Sequence, residues 1–116
     1  MFEKKVRLDD LYEFYGKMLT DKQNEIMTLY CEMDYSLGEI SEICSISRQA
    51  VHDTIKRSEK ILENYETQLM LYSRFQEKQK AFECILERID LVEHTADSEV
   101  YKLLLEIKKI VTDELE

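Results

Sequence analysis

The sequence predicts an all-α protein: an N-terminal helix-turn-helix bundle followed by long C-terminal helices. Three observations carry that expectation. Proline is absent and only Gly16 and Gly38 are glycine, whereas hairpin-rich folds need residues that accept positive φ. Apolar residues recur at three- and four-residue spacings along most of the chain, as on one face of a helix. Serine and threonine stand where helix N-caps are needed.

Within 116 residues, 44% are hydrophobic and 35% charged. That balance suits helices that each bury one stripe. The first stripe is Leu8, Leu11, Tyr12, Tyr15, Met18 and Leu19. Thr20 then caps a second helix, with Gln23 completing a capping box and Ile26, Met27, Leu29 and Tyr30 leading towards Met33. After a break at Asp34-Tyr35-Ser36, Ser36 and Glu39 form the same device ahead of Ile40 and Ile43, both expected to face inward. Ser47 caps the next helix, whose apolar positions run from Val51 through Ile55, Ile61, Leu62, Tyr65 and Leu69.

The register slips at Asn64 to Thr67, which predicts a bend or junction there. Beyond it a long helix reaches about Glu93, with Phe75, Phe82 and Ile89 seven apart. Thr95-Ala96-Asp97-Ser98 caps a last helix with the stripe Val100, Leu103, Leu104, Ile107, Val111 and Leu115. Residues 1–65 are expected to form the helix-turn-helix module and 66–116 an assembly region. The stripe from Tyr72 to Ile89 is too long for the small module to cover, so a homodimer is expected. No internal repeat or low-complexity tract is visible.

The most informative stretch is Ser36 to Val51. A helix-turn-helix needs a small residue in the first helix, an apolar residue in a tight turn and another early in the second helix. Ser41, Ile46 and Val51 occupy those places. On the second helix, Val51, Thr54, Ile55 and Ser58 share the inward face. Gln49, His52, Asp53 and Lys56 share the outward one, flanked by Arg48 and Arg57, with Ser47 at its start. These seven residues, 47–49, 52, 53, 56 and 57, are the candidate nucleic-acid contacts. In a DNA-reading motif Gln49 would meet an adenine edge, and Arg48 or Lys56 a guanine or a phosphate.

Charge opposes an easy assignment. The net charge is −9, and phosphate contacts supply most non-specific affinity for nucleic acid. Asp53 sits in the middle of the outward face, and Arg48, Lys56, Arg57 and Lys60 exceed Asp53 and Glu59 by only two charges. A helix pair of this shape also serves as a structural or protein-binding element, since fold does not fix function.

Other chemistry is thinly represented. Cys31, Cys44 and Cys84 are odd in number and widely spaced, which points to reduced thiols rather than a disulfide framework or a zinc site. His52 and His94 lack a second ligand at metal-binding spacing; His52 reads as an exposed contact and His94 as a helix-end residue. No nucleophile motif or phosphate-cradling loop is present, so neither enzymatic activity nor a cofactor is expected. The charged start, Met1 to Asp10, lacks a signal-peptide apolar run, and nothing approaches a membrane span. A cytoplasmic protein is the expectation.

Two runs, Leu11 to Gln23 and Ser47 to Asp53, resemble the YlxM family of Gram-positive bacteria. The helix-turn-helix itself is similar to promoter-reading region four of sigma factors, a motif without a wing. The likeness covers about residues 1 to 75, and the C-terminal part more loosely. It implies a regulatory protein of the signal recognition particle (SRP) pathway, encoded beside the GTPase Ffh or the receptor FtsY and acting on Ffh or the particle's small RNA. A second role, as a dimeric regulator on double-stranded DNA, is implied by the motif alone. The sequence departs from the commonest pattern at Ser41, usually alanine, and Ser45, usually glycine; serine makes a left-handed turn there costlier.

Overall fold

The computed structural model describes residues 2–115. Among them the chain forms helices and turns with no strand. In order these are α1 (Phe2–Tyr15), a 3-10 turn (Gly16–Met18), α2 (Asp21–Met27), a π-helical turn (Thr28–Glu32), α3 (Leu37–Cys44), α4 (Arg48–Leu69), α5 (Leu71–Glu93) and α6 (Ser98–Leu115). The described residues fall into two compact units, one ending at Tyr72 and the other beginning at Ser73.

The caps explain the boundaries of the short helices. Thr20 Oγ1 accepts from Gln23 N while Gln23 Oε1 accepts from Thr20 N. Ser36 and Glu39 repeat the exchange at α3, and Ser47 Oγ accepts from Ala50 N at α4. Each satisfies donors that the first helical turn leaves open. Asp97 Oδ1 accepts from Val100 N at the start of α6.

The core of the first unit lies where α1, α2, α3 and α4 meet. Leu11, Ile26, Met27, Ile40, Val51 and Leu62 are fully or almost fully buried there. Ile40 and Val51 belong to one apolar cluster, and Ile46 packs against it from the turn. Tyr12 adds polar stitching, donating to Asn24 Oδ1 and sharing a hydrogen bond with Thr28 Oγ1 at 2.8 Å. Ile43, expected to face inward, is instead 55% exposed. Leu37, Ile40 and Cys44 take the inward stripe of α3, and Ile43 falls to one side of it.

The turn between α3 and α4 is left-handed at Ser45 (φ 56, ψ 43) despite the absence of glycine. Ser41 compensates. Its carbonyl accepts the N–H of Ser45 and, at 3.2 Å, of Ile46, and its hydroxyl donates to the Ile46 carbonyl at 2.5 Å. The alanine usual at this place offers no such bond.

The junction expected at Asn64 to Thr67 falls later. Helix α4 runs unbroken to Leu69, and Met70 takes the left-handed cap (φ 56), its N–H bonded to Glu66 O. The polar run is misleading because Glu66 is buried, not solvated. Its Oε1 accepts from the Tyr15 hydroxyl at 2.6 Å and from Tyr72 N at 3.0 Å, the second bond capping the start of α5. Leu71 N donates to the Tyr15 hydroxyl in turn, and Tyr72 OH donates to Asp10 Oδ2. Burial, then the bond to Glu66, pushes the Tyr15 phenol above its usual range.

In the second unit Ile89 and Val111 are buried, and Phe82, Leu86, Leu104 and Leu115 are half-buried. Phe75, Val100, Leu103 and Ile107, read from the sequence as stripe residues, remain exposed. Among the described residues no helix is long and apolar enough to cross a membrane.

The turn chemistry makes two opposite expectations. Ser41→Ala loses a hydrogen bond worth about 1 kcal/mol and lowers the melting temperature by roughly 4 °C. Ser45→Gly relieves left-handed strain of about 1 kcal/mol and raises it. Calorimetry of the two variants checks both signs.

Candidate nucleic-acid or protein interface

Helix α4 presents its faces as the spacing required. Val51, Ile55 and Ser58 are buried and Thr54 half-buried, while Ser47, Arg48, Gln49, His52, Asp53, Lys56 and Arg57 are all exposed. Thr54 and Ser58 return their hydroxyls to the carbonyls of Ala50 and Thr54, so their polar groups do not burden the core.

The exposed row is less available than its composition suggests. Ser47 is spent as the cap. The Arg48 guanidinium lies over α3, so close that a Cβ at Gly38 would come within 2.9 Å of its Nη2; Gly38 is the gap through which Arg48 folds back. Gln49 Nε2 donates to Asp53 Oδ1 at 2.9 Å, and His52 Nδ1 stands 3.6 Å from the same oxygen. Pairing Gln49 with an adenine edge needs that amide donor free, so Asp53 competes for it directly. Lys56 Nζ is 3.8 Å from Glu59. Arg57 is exposed on the flank.

The surroundings add two features that helix periodicity did not show. First, Glu39 and Glu42 are exposed on α3, and Asp21 and Glu25 on α2, with Glu25 against Cys44 at 3.9 Å. In DNA-reading motifs the first helix crosses the phosphate backbone; here that position is acidic. Second, α1 and α4 enclose an open groove of about 580 Å³ whose polar lining is Lys4, Lys5, Arg7, Lys56, Glu59 and Glu63, over Leu8 and Tyr30. The clustering of Lys4, Lys5 and Arg7 near the N-terminus was the one available signal for it.

Ion pairs already occupy much of this groove. Lys5 donates to Asp9 at 2.6 Å and to the Tyr30 carbonyl at 3.1 Å, and sits 4.4 Å from the Tyr30 ring centre. Against the lowering effect of burial, the bond to Asp9 holds Lys5 above its usual pKa. Arg7 bonds Glu63 through both Nε (2.7 Å) and Nη2 (2.8 Å), lowering the Glu63 pKa and raising that of Arg7. Cys31, behind the groove, is pushed up to about 12 by burial and then by Asp9; a thiol held protonated is a poor nucleophile. Among the described residues no three His, Cys, Asp or Glu converge as a metal site would require.

Two caps, a serine-held turn, and a buried Ile40–Val51 contact with Ile46 against it define a helix-turn-helix protein. The comparisons with known proteins name the kind. The family model described as "Putative helix-turn-helix protein, YlxM / p13 like" matches residues 2–109, and the chain belongs to this family, UPF0122. It is 46% identical over 110 residues to a UPF0122 protein of Anoxybacillus flavithermus, covering 95% of this chain and 99% of that one. A relative from Oceanobacillus iheyensis is 44% identical over the same length and shares, and one from Streptococcus pneumoniae is 52% identical over 86 residues, 74% of this chain and 78% of its own.

The Arg7–Glu63 pair gives a pH expectation. Because folding lowers the Glu63 pKa, the stabilisation is complete above the ordinary glutamate value and disappears as pH falls through the depressed one. Both side chains are over a third exposed, so the pair contributes less than about 1 kcal/mol. Glu63→Gln should therefore cost that small amount at neutral pH and nothing in strong acid, as read by denaturant titration at both.

Proposed function

We propose that this protein is a regulatory accessory factor of the signal recognition particle pathway, acting by contact with the GTPase Ffh or with its RNA. One observation carries the choice over promoter reading: the α2–α3 surface beside the motif is acidic at Asp21, Glu25, Glu39 and Glu42. A duplex docked in the usual geometry would set those carboxylates against phosphates, and like charges at such an interface cost several kcal/mol, on the order estimated for mismatched partners. A basic protein surface meets no such penalty. The likeness to the YlxM family supplies the pathway, and the self-paired state of Gln49 and Asp53 fits a face that does not read bases.

The second reading, a dimeric DNA-binding regulator, rests on the exposed row Arg48, Gln49, His52, Lys56 and Arg57. Titration calorimetry separates the two. The first predicts association with purified Ffh that weakens when Glu39 and Glu42 are both changed to Lys, or with its RNA, which the same change strengthens; no heat with either component removes it. The second predicts binding to duplex at low salt. Its salt slope then falls by about 0.9 log unit for each phosphate that an Arg48→Ala, Lys56→Ala double variant no longer neutralises. Absence of duplex binding by the wild type removes that one.

A further inference from the structure

The second unit, most of α5 with α6, leaves one long apolar face uncovered. The two helices run antiparallel, since Ile107 shares a groove with Ile89 and Val92 while Glu114 and Leu115 share one with Phe75 and Phe82; Lys108 Nζ reaches Asp90 (3.4 Å) and Glu93 (3.5 Å) between them. One groove of about 410 Å³ is lined by Cys84, Ile85, Arg88, Ile89, Val92 and Ile107. Another, of about 200 Å³, is lined by Phe75, Lys78, Gln79, Phe82, Glu114 and Leu115. Lys78 and Ile85 stand seven apart on α5, as do Ile107 and Glu114 on α6, so one row on each helix runs from one groove to the other. Beside them Leu103 and Ile110 protrude, 58% and 64% exposed. Holes and knobs of matching chemistry on one face are what a self-complementary contact requires.

We infer that this face is closed by a second copy of the same hairpin, forming a four-helix bundle about a two-fold axis parallel to the helices. Charge selects that axis. On α5 this side carries Arg74, Lys78 and Arg88 against Glu77; the far edge of α6 carries Glu99, Glu106 and Asp113, seven apart. A two-fold axis across the helices would lay α6 on its own copy and bring acid to acid. An axis along them sets α5 against the partner's α6, basic edge to acidic edge. The hairpin register, fixed where Ile89 and Ile107 share a groove, then puts the partner's Ile110 level with Ile85, the partner's Leu103 level with Val92 and the partner's Glu106 level with Arg88.

The area is sufficient. Eighteen residues of α6 span about 27 Å, and two helices about 9 Å apart present a face about 18 Å wide. Both copies together cover roughly 1,000 Å², the lower bound for a specific interface.

Sedimentation equilibrium of the full-length protein tests this, under reducing conditions because Cys84 is exposed in the groove. The wild type is expected to be dimeric at micromolar concentration. Arg88→Glu and Glu106→Arg, both at exposed positions, should each raise the dissociation constant about tenfold or more, and the double reversal should return it to within about threefold of wild type. Far-UV circular dichroism verifies that each variant keeps its helices. A wild type that stays monomeric at about 100 µM, where even a micromolar dissociation constant leaves most chains paired, overturns the inference. So does a dimer indifferent to either reversal, which would associate through another surface, or a double reversal that fails to rescue.

Discussion

Ser41 grips the turn between α3 and α4 from both sides, accepting the N–H groups of Ser45 and Ile46 through its carbonyl and donating its hydroxyl to the Ile46 carbonyl. The chain can therefore reverse through a left-handed serine where other sequences use glycine. Because the turn is held, Ile46 drops onto the cluster that contains Ile40 and Val51. Because that cluster is packed, α4 keeps one azimuth along its length, and residues 49, 52, 53 and 56 share one exposed face. Without this grip the row would still share one side of α4, but that side would not be held at a fixed angle to α3.

A second constraint operates at the far end of α4. Glu66 brings a carboxylate into the core, which is unfavourable unless its oxygens are satisfied. The Tyr15 hydroxyl and the Tyr72 amide both donate to its Oε1 while anchoring α1 and the start of α5. Phe14 and Tyr72 pack at 5.9 Å and Tyr15 stacks on Tyr65 at 6.0 Å around the same point. The polar group thus specifies where α4 must end, which an apolar residue at position 66 would leave open.

Much of the first unit was legible in the sequence because its signals are local. Thr20–Gln23, Ser36–Glu39 and Ser47 name their own helix starts, and the spacing of Val51, Ile55 and Ser58 names the buried face of α4. What failed to show depends on distant partners. Glu66 reads as a surface residue until Tyr15, fifty-one positions away, is placed beside it. Ile43 reads as core until Leu37 and Cys44 are seen to share the inward stripe with Ile40. Arg48 and Gln49 read as free contacts until Gly38 and Asp53 are seen to engage them. The acidic α2–α3 surface was present in the composition, but only the fold sets it beside the motif.

The π-helical turn at Thr28–Glu32 places Tyr30 where its carbonyl and ring both meet Lys5. A π-turn amounts to one residue added to an α-helix. Deleting a single residue there would close the wide turn to an ordinary α-helical one and take away the place it gives Tyr30. Tyr30 would leave Lys5, and the groove between α1 and α4 would lose its aromatic floor. The number of residues between Thr20 and Ser36, as much as their chemistry, therefore builds this groove.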